Sequence, residues 1–185
     1  MTTIDRARLG ELLAAERRAF LDTHRTSAEL AARAAGSLLG GVPMNWMRRW
    51  SGDHPVFVRS AHGAELVDVD GNSYVDLCLG DTGAMTGHAP EATVAAVARQ
   101  AGQGITTMLP SEDAIWVGAE LARRFGLPLW QIAMTATDAN RFALRIARQV
   151  TGRPKILVFN WCYHGSVDEA LVVLADDGVS TVPRP

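Results

Sequence analysis

Met134-Thr135-Ala136-Thr137-Asp138-Ala139-Asn140 lies between the apolar run Leu127-Pro128-Leu129-Trp130-Gln131-Ile132-Ala133 and the helical pattern Arg141-Phe142-Ala143-Leu144-Arg145-Ile146-Ala147-Arg148. A short apolar run followed by such a pattern reads as a buried strand handing over to a helix. Two hydroxyls, a small residue and an acid at this junction have two physical readings. Thr and Asp are ordinary N-caps that satisfy the first free amides of any helix. At the carboxyl end of a parallel strand, those same amides and the positive end of the helix macrodipole form the place where open α/β sheets hold phosphates. Asp138 opposes an anion unless its carboxylate points away. Position alone leaves both readings open.

The helix is expected from about Thr137 to Val150, closed by Gly152, and Lys155-Ile156-Leu157-Val158-Phe159 reads as a second buried parallel strand. Strand, helix and strand in that order make a right-handed crossover, whose strands end on one rim. Asn160-Trp161-Cys162-Tyr163-His164-Gly165 is therefore expected beside Thr135 to Asp138, where an aromatic ring can stack on a planar cofactor. A thiolate-imidazole pair from Cys162 and His164 is disfavoured, because alternate residues of an extended segment point to opposite sides and no third group orients them. Neither a Gly-x-Gly-x-x-Gly nor a Gly-Lys-Ser/Thr loop occurs. Two strands and one crossover helix cannot cover both faces of a parallel sheet, so the α/β sheet is expected to be incomplete.

Upstream, Ile4 to Asp22 carries apolar residues at roughly helical spacing among charges, and Thr26-Ser27-Ala28-Glu29 reads as a capping box heading a second helix that ends near Gly40-Gly41. From Pro55 to Leu79 the period changes to that of strands, broken at His62-Gly63 and Asp70-Gly71-Asn72, which predicts a small antiparallel meander. A calcium loop starting at Asp68 fails, since its sixth position is Ser73 and its twelfth is Leu79, where glycine and glutamate are required. Helices are expected from Pro90 to Ala101 and from Ser111-Glu112-Asp113 to Arg124, the latter stopping at Phe125-Gly126.

The chain has 185 residues and a formal net charge of -2, a balance that favours neither nucleic acid nor an anionic membrane. No segment is apolar enough over a membrane-spanning length, and charges interrupt the N-terminal region, so a cytoplasmic setting is expected. Cys78 and Cys162 read as buried free thiols, and no metal-ligand spacing occurs. Lys155 is the one lysine among 18 basic residues.

Thr135-Ala136-Thr137-Asp138-Ala139-Asn140 resembles the Ser-Gly-Thr-Glu-Ala segment of class III, pyridoxal-phosphate-dependent aminotransferases. Thr151-Gly152-Arg153-Pro154-Lys155-Ile156 followed by Cys162-Tyr163-His164-Gly165 is similar to that family's next motif. Gly40-Gly41-Val42-Pro43, Val67 to Asp76 and Gly87-His88 resemble the branch that includes glutamate-1-semialdehyde aminomutase.

The resemblance implies an α/β, fold-type I aminotransferase-like chain with an incomplete large-domain sheet and a small N-terminal α+β segment. It divides into N-terminal helices (1–41), a small-domain meander (42–88) and the N-terminal part of the cofactor-binding large domain (89–185). It also implies pyridoxal 5'-phosphate held by Thr135, Ala136 and Thr137, with Tyr163 stacked on its ring and His164 beside it. The reaction is amino transfer between a small-molecule amino donor and a carbonyl acceptor, in a homodimer. Ala136 stands where the family has glycine, and Gly87-His88-Ala89-Pro90 is one residue shorter than Gly-His-x-x-Pro. The family's Schiff-base lysine, the acid at the pyridine nitrogen and the partner subunit's threonine come from later segments than this sequence holds. The expectation is thus an N-terminal part, inactive alone and with no catalytic residue of its own. The alternative is a non-catalytic remnant or interaction module of the same fold.

Overall fold

The computed structural model describes residues 4–184, which form two compact units divided in sequence between Thr107 and Met108. In the first unit Asp5 caps helix α1 (Arg6–Thr23), its carboxylate accepting from the Arg8 amide at 3.0 Å. Helix α2 (Arg25–Ala34) follows after His24, and the capping box expected at Thr26-Ser27-Ala28-Glu29 does not form. The helix starts at Arg25, with His24 rather than Thr26 at the N-cap position, and ends before Gly40-Gly41, which lie in a 3-10 turn, Leu39–Gly41. Its free amides are taken from outside the segment: the Asp70 carboxylate accepts from Thr26 N at 2.6 Å and from Ser27 N at 3.0 Å. A full negative charge at the positive end of a helix outcompetes a neutral hydroxyl, and only the tertiary fold brings it there.

Asp70 arrives on the turn of the expected meander, β1 (Val58–His62), β2 (Glu65–Asp68) and β3 (Ser73–Val75), antiparallel throughout. Gly71 makes that turn with φ 92°, open only to glycine at low cost. On β2, Asp68 is fully buried and accepts from the Asn72 amide, the Asn72 side chain and the Tyr74 hydroxyl at 2.8 to 2.9 Å. The Tyr74 hydroxyl also lies 2.6 Å from His24 Nε2, so the joint between α1 and α2 is tied to the sheet. Burial and the Asp68 carboxylate push the Tyr74 phenol up to about 12.

Burial raises the Asp70 carboxyl, but the bonds from Ser27 and Thr26 outweigh it and bring the group down to about 2. A depressed carboxyl stabilises the folded state fully above its unfolded value of 3.8 and loses that contribution as pH falls toward about 2. Asp70→Ala is expected to lower the melting temperature at neutral pH and to flatten the acid limb of stability in that window. Thermal melts by circular dichroism across pH check this, and parallel acid limbs for the two proteins would show that the cap contributes nothing.

Helix α3 (Glu91–Ala101) completes the first unit's regular elements. The second unit holds α4 (Asp113–Phe125), closed by Gly126 in the left-handed region, and α5 (Ala136–Thr151), closed in the same way by Gly152. No side chain caps α4, so the expected Ser111 cap is absent. Strands β4 (Val172–Leu174) and β5 (Thr181–Pro183) pair as a hairpin around Asp177-Gly178. Asp177 accepts from the Val179 and Ser180 amides in that turn.

Neither apolar run around α5 is a strand. Residues 129–133 and 152–159 have no ladder, and Leu129 and Leu157 are each 88% exposed. The expected parallel crossover sheet is therefore not formed among the described residues. A strand exists only beside another chain segment that takes its N–H and C=O groups, and β-type composition cannot create that neighbour. The α/β class stands, carried by five helices and two antiparallel sheets among the described residues. Buried apolar residues are few, Val42 in the first unit and Val167, Ala170 and Val173 in the second. Cys78 and Cys162 are free but exposed, contrary to the expectation of buried thiols; both lie in irregular chain outside the helices and strands. No helix among the described residues is long and apolar enough to cross a membrane.

Candidate functional site

Thr135 is the N-cap of α5, with extended backbone at φ -139° and ψ 157°. Its hydroxyl oxygen accepts from the Asp138 amide at 3.0 Å, and the hydroxyl donates to the Asp138 carboxylate at the same distance. The capping reading is therefore correct, and it also engages the one acid that opposes an anion here. Ala136 opens the helix without a positive φ, so the Cβ it carries in place of glycine's hydrogen demands no strained backbone. The amides of Ala136 and Thr137 meet no protein acceptor among the described residues. Free first-turn amides at the positive end of a four-turn helix are a ready site for an anion.

Against this turn packs the segment that follows residues 152–159. Thr137 Oγ1 accepts from the Ser166 amide at 3.1 Å, and the Asn140 side-chain amide donates to the His164 carbonyl at 2.8 Å. Gly165 is buried with φ 84°, and a Cβ there would lie 2.6 Å from Thr137 Oγ1 and 2.9 Å from Thr137 Cα. Glycine at this position permits the close approach of the two backbones. Tyr163 is 67% exposed and His164 half-buried. The two turns expected on one rim thus do meet, although the strands expected to carry them there are unpaired.

The 160–162 segment is held from the other side by the β4–β5 hairpin. Asn160 Oδ1 accepts from the Leu174 amide at 2.9 Å, and the Arg184 guanidinium lies 5.7 Å from the centre of the Trp161 ring. Trp161 itself sits at φ 63°, a costly conformation for an aromatic residue, immediately before the Cys162-Tyr163 step. No hydrogen bond joins Cys162 to His164 among the described residues. Asn140, Ser166 and Arg184 were not singled out from the sequence. Asn140 was legible, three residues after Thr137 and so on the same face of α5; Ser166 acts through its backbone and leaves no signal.

Along α5, Arg141, Arg145, Arg148 and Gln149 line a cleft of about 470 Å³ with Glu169. Arg148 pairs with Glu169 at 3.0 Å, and the Glu169 carboxyl is held below its ordinary range by its own backbone amide first and then by Arg148 and Arg141. In the first unit, His88 Nε2 lies 2.6 Å from the Asp76 carboxylate, which also accepts from the Cys78 and Leu79 amides. The shortened Gly87-His88-Ala89-Pro90 segment is accommodated by Ala89 at φ 49°, a left-handed residue before proline. Lys155 is exposed in the irregular 152–159 segment.

Comparison with known proteins bears on the same residues. The family model described as aminotransferase class-III matches residues 46–182. A glutamate-1-semialdehyde 2,1-aminomutase of Desulfitobacterium hafniense is 37% identical over 162 residues, covering 86% of this chain and 37% of that protein. A glutamate-1-semialdehyde aminomutase of Pseudomonas aeruginosa PAO1, solved in complex with PMP, is 51% identical with a TM-score of 0.90, over 99% of this chain and 40% of that one. An omega-transaminase of Sphaerobacter thermophilus is 33% identical with a TM-score of 0.73, over 86% of this chain and 37% of that one. The chain spans about two fifths of the length of these relatives.

Proposed function

Because this chain belongs to the class III aminotransferases, pyridoxal-phosphate-dependent proteins of fold type I, we propose that it forms the phosphate- and ring-binding face of an enzyme of amino-group transfer. Ala136 and Thr137 give their amides to the phosphate, Thr137 adds its hydroxyl, and Thr135 braces the turn by capping it. Tyr163 lies on the ring, with His164 at its side. The observation that carries the reading is the first turn of α5, where two amides lack a protein acceptor and Thr137 Oγ1, already accepting from Ser166, keeps its proton for an outside oxygen. These donors fit a phosphate dianion, since the Asp138 carboxylate is engaged by Thr135.

When bound, the cofactor supplies the electron sink for amino transfer. The residues of this chain bind and orient it. A lysine, the acid at the ring nitrogen and a threonine of a second subunit would come from polypeptide beyond these residues, in the same chain or another. On this reading the exposed apolar runs 129–133 and 152–159 are where that polypeptide packs. The complete enzyme is a cytoplasmic homodimer acting on a small-molecule amino donor and carbonyl acceptor. The 51% identity over nearly the whole chain to an aminomutase favours the aminomutase-like branch.

Equilibrium titration of the chain with pyridoxal phosphate, read by induced circular dichroism, tests the proposal. Binding is expected to be displaced by inorganic phosphate and weakened about tenfold by Thr137→Val, the loss of one hydrogen bond to a charged group. Binding indifferent both to phosphate and to Thr137→Val would overturn it.

A further inference from the structure

We infer that Asn140 is a positioning residue: its donation to the His164 carbonyl pins the Tyr163–Ser166 turn onto the first turn of α5 and thereby sets both the Tyr163 ring and the free proton of Thr137. The geometry stands on three contacts. Asn140 Nδ2 reaches His164 O at 2.8 Å, Ser166 N reaches Thr137 Oγ1 at 3.1 Å, and Gly165, between them, has no side chain to keep the backbones apart. Residues 152–159 before the turn have no ladder, and Arg148 Nε donating to the Pro154 carbonyl at 3.0 Å ties that segment to α5 well upstream of the turn. The remaining ties act at Asn160 to Cys162, upstream of Tyr163, and beyond Ser166, at the fully buried Val167 and the Arg148–Glu169 pair. Asn140 holds the His164–Gly165 peptide, one residue beyond Tyr163.

The consequence for Thr137 follows from hydrogen-bond chemistry. A threonine hydroxyl has one proton and two lone pairs. With the Ser166 amide donating to Oγ1, one lone pair is taken and the hydroxyl's own proton is left for another acceptor. If the turn lifts, Oγ1 loses that donor, and the hydroxyl is free to turn its proton to any nearby carbonyl. Asparagine suits the task because it is short and carries a donor amide. Aspartate, of the same shape, sets an oxygen against the His164 carbonyl and repels it.

The consequence for the cofactor rests on the function proposed above; the pinning itself does not. Amide hydrogen exchange of the cofactor-free chain therefore tests the pinning first, in the wild type, Asn140→Ala and Asn140→Asp. The Ser166 amide is expected to exchange at least about tenfold faster in both variants, while amides in the last two turns of α5 and the far-ultraviolet spectrum stay unchanged. Unchanged exchange at Ser166 in both variants overturns the inference, whatever the cofactor does. Titration with pyridoxal phosphate is the second readout, expected to show weaker binding and a smaller induced signal in both variants. Faster exchange with unaltered binding would reduce Asn140 to a structural tether and overturn its positioning role. A wild type that binds no pyridoxal phosphate would sink the proposed function, with the exchange result still deciding the pinning.

Discussion

Pyridoxal phosphate mixed with this 185-residue chain and reduced with borohydride is expected to leave no cofactor covalently attached to a lysine. Lys155 is the one lysine in the sequence, and it is exposed in an irregular segment rather than held in a dry site where its amine would be matched to the task. On the proposed function, binding through the first turn of α5 and Tyr163 is expected to be non-covalent, and Lys155→Ala is expected to leave it unchanged. Chemistry is a different matter. A positioned acid-base group is worth about 10²–10⁴ in rate, and covalent attachment of the substrate's nitrogen adds to that, so the isolated chain is expected to lack measurable amino transfer. Peptide mass spectrometry after reduction reads the first outcome. A stoichiometric adduct on Lys155, abolished by Lys155→Ala together with binding, would show that this lysine does reach the site.

Gly165→Ala is expected to be the most damaging single substitution near the candidate site. At φ 84° any side chain is strained, and the added methyl would also stand 2.6 Å from Thr137 Oγ1 and 2.9 Å from Thr137 Cα. The hydroxyl could rotate, but a Cα in a helix cannot yield, so the turn must lift and the Ser166 bond to Thr137 must break. A left-handed non-glycine residue costs about 1–2 kcal/mol and a lost hydrogen bond about 0.5–1.5 kcal/mol. Pyridoxal phosphate binding is expected to weaken by about tenfold or more for that combined loss. Gly152→Ala is the control, with φ 66° but open space around the new methyl, so it bears the backbone strain without the clash and should leave cofactor affinity unaltered. Titration of both variants decides it; equal binding by wild type and Gly165→Ala would mean that the turn is not held where Thr137 and Gly165 touch.

The helices were readable because their signals are local. Gly126 and Gly152 end α4 and α5 in the left-handed conformation, and Thr135 caps α5. The meander was readable for the same reason, from alternation and the Asp70-Gly71 turn. The cap of α2 was not, since the residue that provides it lies 44 positions away from Thr26 and competes with a local box that looked sufficient. The strands around α5 failed in the opposite sense. Their composition is right, but a ladder needs a neighbour, and the described residues contain none. The hairpin of β4 and β5 was carried by Asp177-Gly178, a signal present in the sequence and passed over.

Sequence by itself determined the family and the candidate positions Thr135, Ala136, Thr137, Tyr163 and His164, because each of these is a matter of residue identity and order. Only the tertiary structure decided that Asp70 caps α2, that Asp138 is engaged by Thr135, and that Asn140, Gly165 and Ser166 fasten one turn to another. Those outcomes depend on which groups come within about 3 Å of each other across the fold, a distance that no local pattern encodes.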